Sequence, residues 1–109
     1  MDVKNMEELE TIIFDLIVHS GNARGSLFEA LECAENKKYD EIDNLLNKAK
    51  EEMNIAHNIQ TQLIQDNLAG KGEISLLLIH AQDQLMTVMS EQALIERLIK
   101  MQKQINENN

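Results

Sequence analysis

The sequence predicts an all-α protein, an antiparallel up-down-up bundle of three long helices in one domain that spans residues 1–109. The chain has no proline and only four glycines, and it is rich in residues that favour helix, such as Leu, Ala, Met, Glu, Lys and Gln. Its apolar residues recur at intervals of three and four over three long segments, which is the spacing of one helix face. A chain of 109 residues is long enough for one core and too short for two ordinary domains.

The first predicted helix runs from about Lys4 to Ala34. Its inward face consists of apolar residues at three- and four-residue steps, and Ser20 fills the one gap in this series. The inward apolar residues are Met6, Leu9, Ile13, Leu16, Ala23, Leu27, Ala30 and Ala34. Gly21 and Gly25 each lower helix stability by about 1 kcal/mol relative to alanine, so we expect the helix to bend near them.

The second predicted helix follows a connection at residues 35–39. Asp40 is its predicted N-cap, and Asp43 is an acidic residue of its first turn. The residues expected to face inward are Ile42, Leu45, Leu46, Ala49, Met53, Ala56 and Leu63. Gly70 and Gly72 mark the end of this helix and the turn that follows it.

The third predicted helix, from about Glu73 to Gln104, carries two apolar stripes. The first stripe faces the other helices and consists of Ile74, Leu78, Ala81, Leu85, Val88, Ile95 and Ile99. The second stripe lies on another side and consists of Leu76, Ile79, Met86 and Met89. Because a three-helix monomer needs one apolar stripe per helix, the second stripe predicts burial against further subunits. The alternative is a few scattered exposed apolar residues, which monomers also show.

The charge and composition restrict the classes of partner. The formal net charge of −9 argues against nucleic acid and against anionic membranes, and it favours a protein partner with basic groups. Aromatic residues make up 3% of the chain, which argues against a base-stacking surface. Cys33 is the only cysteine, the N-terminus lacks the pattern of a signal peptide, and the apolar runs are too short for membrane insertion. We therefore expect a cytoplasmic protein.

Asp83 lies inside the second stripe, one turn after Ile79. If a rotational interface is centred on this stripe, copies of Asp83 from each subunit converge. Carboxylates at such a short distance repel one another, so they must take up protons or share a divalent cation. The periodicity is equally compatible with a solvent-exposed Asp83 at the edge of the stripe.

His80 is the candidate nucleophile. It stands at the junction of the two stripes, with leucines one turn before it and polar side chains one or two turns after it. A neutral imidazole in such surroundings is a plausible nucleophile near neutral pH. For His19 and His57, by contrast, we expect a packing or capping role.

Several other chemistries lack their sequence motifs. The chain has no H-E-x-x-H motif, no paired cysteines and no two histidines four residues apart, so the ligands of a catalytic zinc ion are absent. It also has no Walker A loop, no G-x-G-x-x-G motif and no G-x-S-x-G elbow. A histidine without a cofactor suits a phosphate carrier better than an enzyme that turns over a small substrate.

The segment H-A-Q-D-Q-L-M-T at residues 80–87 closely resembles the H-A-Q-D-H-L-M signature of the enzyme IIA proteins of the lactose/cellobiose branch of the bacterial sugar phosphotransferase system. The segment H-S-G-N-A-R at residues 19–24 is similar to the first-helix motif of that family. Residues 56–62, which read A-H-N-I-Q-T-Q, resemble its second-helix motif. The resemblance covers nearly the whole chain.

This resemblance implies a homotrimer of three-helix bundles that acts as a phosphoryl carrier. The family histidine at His80 accepts a phosphoryl group from HPr and passes it to a IIB protein or domain, for uptake of a β-linked disaccharide such as cellobiose, chitobiose or lactose. Asp83 matches the aspartate at the trimer axis, where a divalent metal, expected to be Mg²⁺, is bound. Ala81 makes the chain more similar to the cellobiose and chitobiose type. Gln84 departs from the signature, because the family usually has a second histidine there.

Three residues of the third helix are candidate donors to the phosphoryl oxygens, some of them across a subunit boundary: Gln82, Gln84 and Thr87. His57 and Asn22 are further candidates. One alternative function is the histidine phosphotransfer module of two-component signalling, but its usual H-x-x-K-G motif is absent at His80. The other alternative is a non-catalytic helical adaptor, in which this histidine would only pack.

Overall fold

Three long helices form the protein in a computed structural model that describes residues 6–70 and 74–108. Helix α1 spans Met6–Glu35, α2 spans Ile42–Leu68 and α3 spans Leu76–Glu107. Helix α1 packs along both other helices, whereas the backbones of α2 and α3 approach each other at few positions. The predicted all-α three-helix bundle is confirmed. No helix in the described part of the chain is long and apolar enough to cross a lipid bilayer.

The apolar core divides into two clusters, and α1 contributes to both. The cluster near the start of α3 contains Leu9, Ile13, Leu16, Ala56, Leu63, Leu78, Ala81 and Leu85. The other cluster contains Ala23, Leu27, Ala30, Ala34, Ile42, Ala49, Met53, Val88, Ile95 and Ile99. The inward face predicted for the first helix is confirmed, except that the side chain of Met6 lies outside the described residues. Ser20, in the predicted gap, is fully buried.

Two details of the helix starts differ from the sequence prediction. Asp40 does not cap α2, because the chain first makes a 3₁₀ turn at Tyr39–Glu41 and α2 then begins without a side-chain cap. Ile74 is not an inward residue. It precedes α3 and is 77% exposed, because the helix begins only after Ser75, whose side chain accepts a hydrogen bond from Leu78 N at 3.1 Å. The predicted start at Glu73 lies outside the described residues.

The ends of α1 and α2 both use left-handed backbone. Lys37 has φ 60°, and hydrogen bonds from Lys38 N to Cys33 O and from Lys37 N to Ala34 O close the end of α1 at 2.8 and 3.3 Å. Gly70 ends α2 with φ 75°, as its position in the sequence predicts. Gly72 lies outside the described residues.

Helix α1 runs without interruption through its two glycines. A side chain at Gly25 would meet no atom within 4 Å. Glycine weakens a helix without removing any backbone hydrogen bond, so the helix can continue through such positions when its other residues are packed.

Candidate functional site

His80 projects into solvent from the second turn of α3. The buried side chains of Leu78, Ala81 and Leu85 fix the rotation of the helix, so that the imidazole is exposed. It lines an open depression together with Leu76 and Leu77. The structure thus places an accessible imidazole at the edge of an apolar surface, as the position of His80 between two stripes predicts.

Gln84 lies one helical turn after His80 and faces α1. A Cβ atom at Gly21 would lie 3.6 Å from Gln84 Nε2, which is ordinary van der Waals contact. The other amide atom, Oε1, is buried and has no hydrogen-bond partner among the described residues. Gln84 is therefore close enough along the helix to interact with His80, and it has an unused acceptor.

Asp83 and Thr87 lie on the exposed side of α3 next to His80. The Thr87 hydroxyl donates to the main-chain carbonyl of Asp83 at 2.7 Å, so this hydroxyl is engaged within its own helix. The Asp83 carboxylate makes no hydrogen bond or ion pair with any residue in the ranges 6–70 and 74–108. Within those ranges, no three His, Cys, Asp or Glu side chains are grouped so that they could hold a metal ion.

Gln82 lies on the side of α3 that faces α2. Its Oε1 accepts a hydrogen bond from Nε2 of Gln60, a buried residue of α2, and the same Nε2 lies 3.7 Å from Met86 Sδ. Residues two apart on a helix do not face each other, so Gln82 is turned away from His80 within one chain.

Asn22 and His57 lie in two other grooves. Asn22 lines a groove between α1 and α2 together with Lys48 and Glu52. His57 is exposed and lines a groove between α2 and α3 together with Met89. A single chain therefore does not bring either residue together with His80.

Two side-chain contacts, one ion pair and one hydrogen bond, were not predicted from the sequence and hold the helices in register. Arg24 Nε donates to Glu91 Oε1 at 2.8 Å, which joins α1 to α3. His19 Nδ1 lies 2.5 Å from Glu52 Oε2, which joins α1 to α2. No local sequence pattern indicates these partners, because they lie 67 and 33 residues apart.

The surface of α3 also carries an apolar stripe that the sequence analysis missed. It lies beyond the second stripe, toward the C-terminal end of the helix, and each member is about half exposed. The residues and their exposed fractions are Leu94 62%, Leu98 46%, Met101 49% and Ile105 52%. Their spacing of four, three and four was a usable signal, because it is the spacing of one helix face.

Comparison with known proteins gives concordant matches over nearly the whole chain. The family described as the lactose/cellobiose-specific IIA subunit of the PTS system matches residues 11–103. The lichenan-specific phosphotransferase enzyme IIA component of Bacillus subtilis is 41% identical over 102 residues, which cover 93% of this chain and 93% of that protein.

Solved structures match the fold as well as the sequence. The crystal structure of the PTS cellobiose-specific enzyme IIA from Bacillus anthracis has a TM-score of 0.86 and 44% identity, and the match covers 92% of this chain and 93% of that one. The solution structures of the IIA(Chitobiose)–HPr complex of Escherichia coli give a TM-score of 0.79 and 35% identity, over 90% of this chain and 96% of that one.

Proposed function

Because the chain belongs to the lactose/cellobiose-specific IIA family of the sugar phosphotransferase system, we propose that His80 is the residue through which it relays a phosphoryl group from HPr to its IIB component. The observation that carries this assignment is the exposed imidazole of His80 beside an apolar depression on α3. The similar chitobiose protein forms a complex with HPr, which supports HPr as the donor. The relay operates in the cytoplasm, where both partners meet the sugar transporter.

The chemistry needs one nucleophilic nitrogen and good positioning. A neutral ring nitrogen of His80 attacks the phosphorus of the phosphohistidine on HPr, so that a new nitrogen–phosphorus bond forms while the bond to the donor histidine breaks. The donor phosphohistidine, protonated on its other ring nitrogen, leaves as a neutral imidazole, and phosphorylated His80 keeps its own proton on the ring nitrogen that does not carry the phosphoryl group. The second transfer repeats this displacement with a nucleophile of the IIB component. Because charge spreads over the phosphoryl oxygens, nearby amides and hydroxyls can stabilise the transition state.

The transported sugar is a β-linked disaccharide of the cellobiose, chitobiose or lactose class. This proposal is supported by the similar proteins, which are named as specific for lichenan, cellobiose and diacetylchitobiose. The IIA component contacts other proteins and not the sugar.

We further propose a homotrimer in which the α3 helices pack together around a threefold axis. The support is the large amount of apolar surface that α3 leaves exposed in a single chain. Near His80 this surface consists of Leu76, Ile79, Met86 and Met89, and toward the C-terminus it consists of Leu94, Leu98, Met101 and Ile105. A helix that is apolar on two sides is stable when both sides are buried. Parallel α3 helices would bury the outer side against copies of themselves.

Asp83 is the proposed metal ligand of this trimer. Its carboxylate is exposed and unpaired within the described residues, and three copies around an axis would supply the hard oxygen donors that Mg²⁺ prefers. When bound, the ion would offset two of the three negative charges. It has a structural role, because the phosphoryl transfer takes place at His80.

The relay assignment is tested by phosphorylation in solution. With phosphoenolpyruvate, enzyme I and HPr, we expect the protein to gain a phosphate that is stable in base and labile in acid. His80→Ala should gain none. His19→Gln is the control, because the ring of His19 contacts Glu52 on another face, and this variant should be labelled like the wild type. Absence of label on the wild type would overturn the assignment.

A further inference from the structure

We infer that Gln84 is a positioning residue for His80. In this arrangement the side-chain Oε1 of Gln84 accepts a hydrogen bond from one ring nitrogen of His80. That nitrogen then holds the proton of the neutral imidazole, and the other nitrogen holds the lone pair that attacks phosphorus. The inference rests on the proposed function, because the tautomer matters only if His80 is the nucleophile.

The first argument is the placement of the two side chains. They lie four residues apart on α3, so they are neighbours on the helix surface. Long side chains in a helix lean toward its N-terminus and cover the preceding turn. The side chain of Gln84 is therefore directed over the turn that carries His80.

The second argument is an unmatched donor and acceptor. Oε1 of Gln84 is buried and has no partner within residues 6–70 and 74–108, and a buried acceptor in that state is unfavourable. The ring nitrogens of His80 also have no partner in those ranges, so nothing else fixes the tautomer of this imidazole. A change of the His80 rotamer toward α1 satisfies both groups at once.

Gly21 leaves room for the amide beside α1. A Cβ atom at this position would lie 3.6 Å from Gln84 Nε2, so the nitrogen end of the amide is directed toward α1.

Ser20 is the competing donor. Its hydroxyl is also buried without a partner, and it lies next to Gly21 in the chain. A serine within a helix can donate to the carbonyl four residues earlier after a rotation of its side chain. Ser20 thus has a local acceptor of its own, whereas the ring of His80 is a free donor that α3 itself places one turn from Gln84.

The test measures the tautomer directly, in the complete unphosphorylated protein labelled with ¹⁵N-histidine. Long-range ¹H–¹⁵N spectra at a pH where the imidazole is neutral should show one dominant tautomer of His80. Gln84→Met, which has a similar shape and no oxygen, should give a tautomer mixture and about a tenfold slower phosphorylation. Gln84→Glu keeps the acceptor and should keep the dominant tautomer.

Gln92→Met is the matched control, since Gln92 lies two turns further along α3 and lines the groove toward α2. It should leave both the tautomer and the phosphorylation rate unchanged. The same tautomer distribution in wild type and Gln84→Met would overturn the inference, even if the wild type is labelled normally. If the wild type is not labelled, the proposed relay fails, and the spectra still decide whether Gln84 contacts His80.

Discussion

Gln60 of α2 donates a hydrogen bond from its buried amide to Oε1 of Gln82 on α3, and this bond joins two helices whose backbones approach each other at few positions. Gln82→Leu leaves the amide of Gln60 with only the distant sulfur of Met86. We expect the free energy of unfolding to fall by about 1–3 kcal/mol, because a buried donor loses its acceptor. Adding Gln60→Leu should restore part of this loss, because both polar groups are then removed. Urea unfolding at fixed protein concentration measures whether the effects of the two substitutions on the free energy of unfolding depend on each other. Strictly additive effects would show that the bond does not form.

Lys37 occupies the left-handed backbone position at the end of α1, with φ 60°. Lys37→Gly should raise the free energy of unfolding by about 1 kcal/mol, because glycine has no Cβ that opposes this conformation. Lys38→Gly is the control, since Lys38 has φ −96° and gains nothing from glycine. The prediction fails if thermal unfolding shows the two variants shifted alike.

Ser75 caps the helix that carries His80, through the hydrogen bond from Leu78 N. Ser75→Ala should lower stability by about 1 kcal/mol, and Ser75→Asp should preserve it, since aspartate is also a good N-cap. Ser90→Ala, on the exposed surface of the same helix, should have little effect. Urea unfolding distinguishes these variants. Equal stability of Ser75→Ala and the wild type would show that the cap does not contribute.

Leu94 and Leu98 belong to the exposed C-terminal stripe of α3. The double variant Leu94→Asp/Leu98→Asp should dissociate the proposed trimer, because it places six carboxylates around one axis. Lys100→Asp changes charge on another side of the helix and should leave the assembly intact. Sedimentation velocity gives the mass of each species. A wild type that sediments as a monomer would contradict the trimer itself.

Asp83 gives a separate test of the proposed axial metal. Wild-type protein should lose trimer stability when EDTA removes the divalent ion, since the carboxylates then repel one another. Asp83→Leu should remain trimeric with and without EDTA, because apolar side chains at the axis need no cation. Sedimentation equilibrium in both buffers measures the effect. If EDTA affects wild type and variant equally, the ion is not bound at Asp83.

Helical periodicity predicted the buried face of α1 almost residue by residue, because core packing fixes the rotation of a long helix. The same periodicity failed at Ile74, where the apolar series continues past the point at which Ser75 starts the helix. It also did not predict Gln60 as an inward residue, because Gln60 is polar, although it fills the inward position between Ala56 and Leu63. Periodicity identifies a face, and it does not show where the backbone leaves the helix or which polar residue shares that face.

The candidate site was predicted less completely than the fold. The position of His80 at the edge of an apolar surface followed from the two stripes of α3. The exposure of His80 and the position of Gln84 opposite Gly21 did not, because they depend on how α1 and α3 are rotated against each other. The position of Gln82 against α2 likewise depends on how the helices are rotated against each other, so it could not be predicted from the sequence.

The central place of α1 has a consequence for the order of folding during synthesis. Helices α1 and α2 are neighbours in the chain and pack closely, so their hairpin can form while α3 is still in the ribosome. Helix α3 then docks mainly onto α1, which already displays its packing face. His80 and its neighbours on α3 therefore emerge after α1 and α2, and the proposed relay site is completed only when all three helices have been made.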